Sequence, residues 1–172
     1  MIRLLRRWFR RPQTSRTEKI VSEVFAFFYV AVMGWLGSGS PGSAFYTSLQ
    51  KSALTPPGWV FPVVWFTLYF CLMEAAFLVW NFYRSEGARM GFAWLYLING
   101  FCIFLWGHLF FTLHRIGAAL ALAVFMLFLA QALMTTAFAA HPKAGRWLIP
   151  YALWLLFAVY LNGTLLALNP SL

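Results

Sequence analysis

Residues 55–65 read TPPGWVFPVVW, and an apolar run continues from them to position 83. Three prolines, a glycine, two tryptophans and a phenylalanine within eleven residues mark a loop that feeds a helix. Pro56 and Pro57 suit a helix start, where a missing N–H is no loss. Pro62 is expected to kink or loosen the first turn. Trp59 and Trp65 are six residues apart, about 240° around a helix, so they cannot share a face. Trp59 is therefore expected to be an interfacial anchor or a lid contact. Trp65 is expected to point inward, one turn above Tyr69.

That run is one of five. Apolar segments lie at 20–38, 58–83, 90–112, 117–140 and 146–168, each near the roughly 20 residues needed to cross a hydrocarbon core. Of the 172 residues, 62% are hydrophobic and 10% charged, against about 25% charged in soluble domains. The segments are too long and too evenly apolar for barrel strands. The expected fold is an all-α membrane protein, a five-transmembrane-helix bundle over 20–168. A basic leader at 1–19 precedes it, and a short tail at 169–172 follows. Only the first connection, at 38–57, is long. The short links YRSEGAR, LHRI and HPKAG predict antiparallel neighbours. No transporter-type internal repeat is visible, and five spans do not divide into inverted halves.

The formal charge is +9, but its distribution points to lipid and not to nucleic acid. Seven of the thirteen basic residues are Arg3, Arg6, Arg7, Arg10, Arg11, Arg16 and Lys19. With the N-terminus inside, Arg84, Arg89, Lys143 and Arg146 join them, and only Lys51 and Arg115 lie outside. Eleven against two fixes the expected orientation. The N-terminus is cytoplasmic, the basic leader meets anionic lipid of the bilayer, and the long first loop is on the far side. A bacterial cytoplasmic (inner) membrane fits this pattern.

Helical spacing sorts the unusual side chains onto faces. Trp65, Tyr69, Leu72 and Ala76 share one on the second span. Asn99, Ile103, Trp106 and Phe110 share one on the third, and Trp154, Ala158, Leu161 and Asn162 cluster on the fifth. Each stripe carries a Trp and a hydrogen-bonding group. They can pack as a bundle core, with Asn and Tyr as interhelical glue. Indoles, however, hinder the close packing that small residues allow, so three Trp faces that meet tend to enclose a cavity. Flat, polarisable walls of that kind suit a planar apolar ligand.

Glu74 points away from the Trp65 face. It reads as a protonated carboxyl at a helix or subunit contact, or as a proton or cation site; no second acid at its depth is expected to build a relay. His108 and His114 read as interfacial. Cys71 and Cys102 read as small buried apolar side chains. No nucleophile–base pair, carboxylate pair, phosphate-binding glycine loop or metal-ligand spacing is present, so no catalytic or metal residues are assigned.

The motifs resemble those of the tryptophan-rich sensory protein/translocator protein family (TspO/MBR). FYTSLQK (45–51) is similar to the family's WY..L.KP, PPGWVFPVVW (56–65) to PPxWVFxxxW, and TLYFCLMEAAFLVW (67–80) to TxLYxxM..A..LVW. FLWGHLFF (104–111) resembles NxxWxPxFF, and PYALWLLFAVYLN (150–162) resembles PYLxWxxFAxYLN. The chain departs from the pattern at Ser52, Leu54, Met73, Ile103, His108 and Leu122. No Lys or Arg follows Tyr160, so the sterol-recognition consensus is not met.

The resemblance implies a five-helix membrane protein, usually a homodimer, whose pocket opens toward the first loop and is covered by it. It implies a planar hydrophobic partner, a porphyrin such as protoporphyrin IX or a haem-related tetrapyrrole; no cofactor is required. By position, ligand contacts fall on Trp65, Tyr69, Asn99, Trp106, Trp154, Ala158 and Leu161. Asn162 joins them from helical spacing, and Tyr46 and Trp59 are the lid candidates. The expected role is transport, buffering or stress signalling. Two rivals stand beside it: oxidative or light-dependent porphyrin degradation, and a regulatory membrane subunit working through protein contacts.

Overall fold

The first helix starts at a capping box. Ser15 Oγ accepts from the Glu18 N–H at 3.1 Å, and the Glu18 carboxylate accepts from the Ser15 N–H at 2.7 Å. Two otherwise orphaned donors are satisfied reciprocally, which is why helix α1 begins at Arg16 and runs to Gly37. The structure, a computed structural model, describes residues 15–39, 43–82 and 86–170. Most of the basic leader (1–14) and the last two residues of the tail lie outside the described residues.

A short helix α2 (Ala44–Ser48) sits in the first loop. Helix α3 spans Val60–Phe82, and helix α4 spans Glu86–Gly107. Helix α5 covers Ile116–Ala140, and helix α6 covers Pro142–Leu168. Pro56 and Pro57 stand outside α3, and the Pro57 carbonyl accepts from the Val60 N–H at 2.9 Å. Pro62 therefore falls in the first turn, where its missing N–H had no partner to lose. His141 is the N-cap of α6, its Nδ1 accepting from the Lys143 N–H, with Pro142 in the first turn. The five long helices are each long and apolar enough to cross a membrane.

They close into a ring in the order α1, α3, α6, α5, α4 and back to α1. The short α3–α4 link was expected to make those helices neighbours. Instead α1 packs on both of them, and they touch only slightly. A short connection fixes direction, but the third partner that buries more surface sets adjacency. The α5–α6 pair is the most extensive and is built from small residues. Ala119, Ala123, Ala130 and Ala137 are buried on α5, with Ala144, Gly145 and Ala152 on α6. Small side chains let apolar helices approach closely where no water is available to drive association.

Three tyrosines tie the N-terminal-side half of the bundle together. Tyr29 on α1 donates to the Leu97 carbonyl on α4, and Tyr96 on α4 donates back to the Ala26 carbonyl at 2.8 Å. Tyr151 on α6, completely buried, donates to Asn99 Oδ1 at 2.8 Å. Gly100 makes room for the Tyr29 ring, since a Cβ there would collide with it.

Candidate functional site

The other half of the bundle, under the first loop, is hollow. A cavity of about 600 Å³ lies between the helices, within the roughly 300–1,000 Å³ common for small-molecule sites. Trp65 and Tyr69 enter it from α3, with ring centroids 5.7 Å apart. Trp106 enters from α4 and stacks on Phe110 at 5.4 Å and 12°. Trp154, Ala158, Leu161 and Asn162 enter from α6, and Phe61 meets the Trp154 ring edge-on at 6.0 Å.

A change of helix type at the end of α4 shapes one wall. Residues His108–Thr112 form a π turn, closed by the Leu113 N–H on the His108 carbonyl at 3.0 Å. A π turn widens the helix by about one residue, a distortion frequent at functional sites. Here it lets Phe110 and Phe111, adjacent in sequence, both line the cavity with centroids 4.9 Å apart. Residues missed by the three stripes complete the wall: Phe27, Ala31, Gly34 and Trp35 of α1, with Ala123 and Met126 of α5. The α1 set recurs at i, i+4, i+7 and i+8, a helical signal present in the sequence.

Asn99 does not reach the cavity. It lies one turn deeper than Ile103, completely buried, and its Oδ1 is taken by Tyr151. Four residues of helix rise, about 6 Å, separate a wall residue from a floor residue on the same face. Asn162 does line the cavity, but its Nδ2 donates to the Ala158 carbonyl of its own helix at 2.8 Å. It is thus not interhelical glue. Trp106 Nε1 and Asn162 Oδ1 are buried with no hydrogen-bond partner.

The roof is the first loop. Tyr46 lines the cavity, and its ring meets Phe110 and Phe111 at 6.3 and 6.1 Å. Burial pushes the Tyr46 phenol above its ordinary pKa, so it faces the cavity as a neutral group. Lys51 Nζ lies 4.7 Å from the same ring, a cation–π distance. Trp59 is 70% exposed and is not among the described residues that line the cavity.

None of the described lining residues is acidic or basic. Glu74 is half-buried on α3 and away from the cavity. A second acid does stand near it: Glu23 of α1 is close enough to act on it electrostatically. The first helix brings that carboxyl alongside α3, a pairing invisible within either segment alone. Cys71 and Cys102 are buried free thiols.

Aromatic stripes from three helices thus meet at one apolar cavity beneath a long loop. The family model described as TspO/MBR family matches residues 24–168. The chain belongs to the TspO/MBR family. It is 32% identical over 152 residues to Protein CrtK of Rhodobacter capsulatus, covering 86% of this chain and 94% of that one. Against the Tryptophan-rich protein TspO of Chlorobaculum tepidum it is 34% identical over 144 residues, covering 80% and 89%. It is 32% identical over 125 residues to the Translocator protein of Homo sapiens, covering 70% and 72%. With five membrane-length helices, this TspO/MBR protein is a multi-pass integral membrane protein.

Proposed function

We propose that this TspO/MBR protein binds a planar hydrophobic ligand, a porphyrin or related tetrapyrrole, in the cavity under the first loop, for transport, buffering or stress signalling. One observation carries the proposal. A space of about 600 Å³ is walled by Trp65, Trp106 and Trp154, with no charged group among the described lining residues. Flat aromatic walls gain most from a flat apolar guest. The Tyr69 hydroxyl is the polar point on α3 that can orient it. Ala158 and Leu161 leave the width of the cavity open between the indoles. The positive-inside count supports a cytoplasmic N-terminus in a bacterial inner membrane, with the loop outside. Pairing into a homodimer belongs to the same proposal and is checked by mass measurement in detergent.

The test is quenching of Trp fluorescence by protoporphyrin IX in the purified full chain. Trp65→Ala and Trp154→Ala are each expected to weaken binding by about tenfold or more. Wild-type affinity in both variants, or no saturable quenching in wild type, overturns the assignment.

A further inference from the structure

The cavity meets the outside on two flanks that are built differently. The loop flank is latched. Asn169, just past the end of α6, grips one loop residue from both sides: its Oδ1 accepts from the Gln50 N–H at 3.0 Å, and its Nδ2 donates to the Gln50 carbonyl at 3.0 Å. The same Nδ2 also donates to the Leu165 carbonyl at 2.8 Å, tying the grip to the last helical turn. Next to it, Ser52 Oγ and Tyr160 Oη share a hydrogen bond at 3.3 Å. Leu49 is buried against Phe110, Ile116 and Leu165, and the Phe45 ring stacks on His114 at 3.8 Å.

Among the described lining residues, the flank between α1 and α3 is closed by side-chain contacts alone. Trp35 and Phe66 both line the cavity, yet they are 73% and 64% exposed, and the lining Pro62 is exposed as well. A side chain that is at once cavity wall and outer surface marks a place where the wall is only one side chain thick. Phe27 and Phe66 meet edge-on at 5.9 Å between the two helices, and Tyr69 rests its hydroxyl on Gly34, where a Cβ would collide with it. These contacts run through the side chains of Phe66 and Tyr69 and not from backbone to backbone. On its other side α1 is pinned: Gly37 and Gly107 bring the backbones of α1 and α4 together, with no room for a Cβ on either. Helix α1 is therefore held backbone to backbone on α4 at Gly37–Gly107, whereas beside the cavity it meets α3 through side chains. Both helices are membrane spans, so acyl chains bathe this flank.

We infer that the ligand enters and leaves sideways, from the lipid leaflet on the loop side through the α1–α3 flank, while the Asn169-latched loop stays shut as a fixed roof. The inference rests on the ligand reading above and adds the route. A planar apolar molecule concentrates in the bilayer, so a sideways route meets it where it is most abundant, and no polar latch need break. Trp35 and Phe66 are the gate residues, and Phe66 closes the flank against Phe27.

The experiment is stopped-flow quenching by protoporphyrin IX of the full chain in lipid nanodiscs, recording association and dissociation rates. Phe66→Ala, at an exposed position, is expected to raise both rates, dissociation by about fivefold. Asn169→Ala is expected to leave both rates within about twofold of wild type. Acceleration by Asn169→Ala, with or without an effect of Phe66→Ala, overturns the sideways route, as does a Phe66→Ala protein with wild-type rates. If wild type binds saturably but its rates follow the latch, only the route falls. If wild type shows no saturable binding, the ligand reading falls first and the route with it.

Discussion

In the N-terminal-side half of the bundle, three tyrosine hydroxyls each reach across to another helix; in the loop-side half, three tryptophans wall a cavity. Tyr29, Tyr96 and Tyr151 donate to the Leu97 carbonyl, the Ala26 carbonyl and Asn99. Among the described residues, the indole N–H of Trp106 finds no acceptor at all. Both halves are aromatic, and both are made of the same helices. The difference is where the polar atom goes. A tyrosine places its hydroxyl at the far end of the ring, so it can cross to a neighbouring helix and lock it. An indole presents a broad face instead and holds helices apart. One half therefore stores stability, and the other stores empty space.

If that division holds, variants in the two halves must separate stability from binding. The largest expected effect falls where backbones touch. A Cβ at Gly107 would run into the Gly37 carbonyl, and no flexible side-chain end can yield. Gly107→Ala should destabilise by about 3 kcal/mol or more, at the upper end of overpacking costs. Unfolding in detergent measures it, and a near-wild-type transition would show that α1 and α4 can slide apart freely.

Ala158→Phe should do the reverse. Ala158 lines the cavity, so the added ring fills space without displacing a packed neighbour. Ligand affinity is expected to fall about 100-fold, roughly 2.7 kcal/mol, while the unfolding midpoint holds or rises. A drop in stability with binding retained would mean that the cavity closes in the membrane. Tyr151→Phe is smaller and of opposite kind. It removes the hydroxyl that serves Asn99 Oδ1. The expected loss is about 1–2 kcal/mol of stability, with affinity unchanged within about twofold, because Asn99 is floor and not wall. A tenfold affinity loss would put Asn99 back among the ligand contacts.

The sequence made the cavity's tryptophans legible because each sits on a 3.6-residue stripe whose loop-side residues face the cavity. Trp65, Trp106 and Trp154 with Tyr69, Ala158, Leu161 and Asn162 all line it. Periodicity gives a direction around a helix but not a depth along it, so Asn99 was grouped with residues one turn above it. The α1 wall carried the same periodic signal but lacked a polar group to single it out. Ser15 and Glu18 spelled a capping box, which is a local pattern and was there to be read. The Gly37–Gly107 contact and the Glu23–Glu74 proximity were of another sort. Each joins residues from different helices, and nothing local in either segment names its partner. Ring order is likewise a property of competing interfaces, which loop lengths do not encode.

The smallest test concerns how firmly the roof is seated. His114 has φ of 54°, the left-handed region, and is the only non-glycine there among the described residues. Its ring also stacks on Phe45 of the loop at 3.8 Å and 18°. The conformation is unfavourable for a residue with a Cβ by about 1–2 kcal/mol, whereas an aromatic pair returns about 0.5–1.5 kcal/mol. His114→Ala loses the stack and keeps the strain; His114→Gly loses the stack and relieves the strain. The glycine variant should therefore be the more stable of the two by about 1 kcal/mol and lie close to wild type. Both should leave the tyrosine-locked half untouched, which hydrogen exchange at α4 and α6 would show. Equal stability of the two variants would mean that the turn relaxes once the ring is gone. The stack on the loop, and not the backbone, would then be what holds His114 in its left-handed conformation.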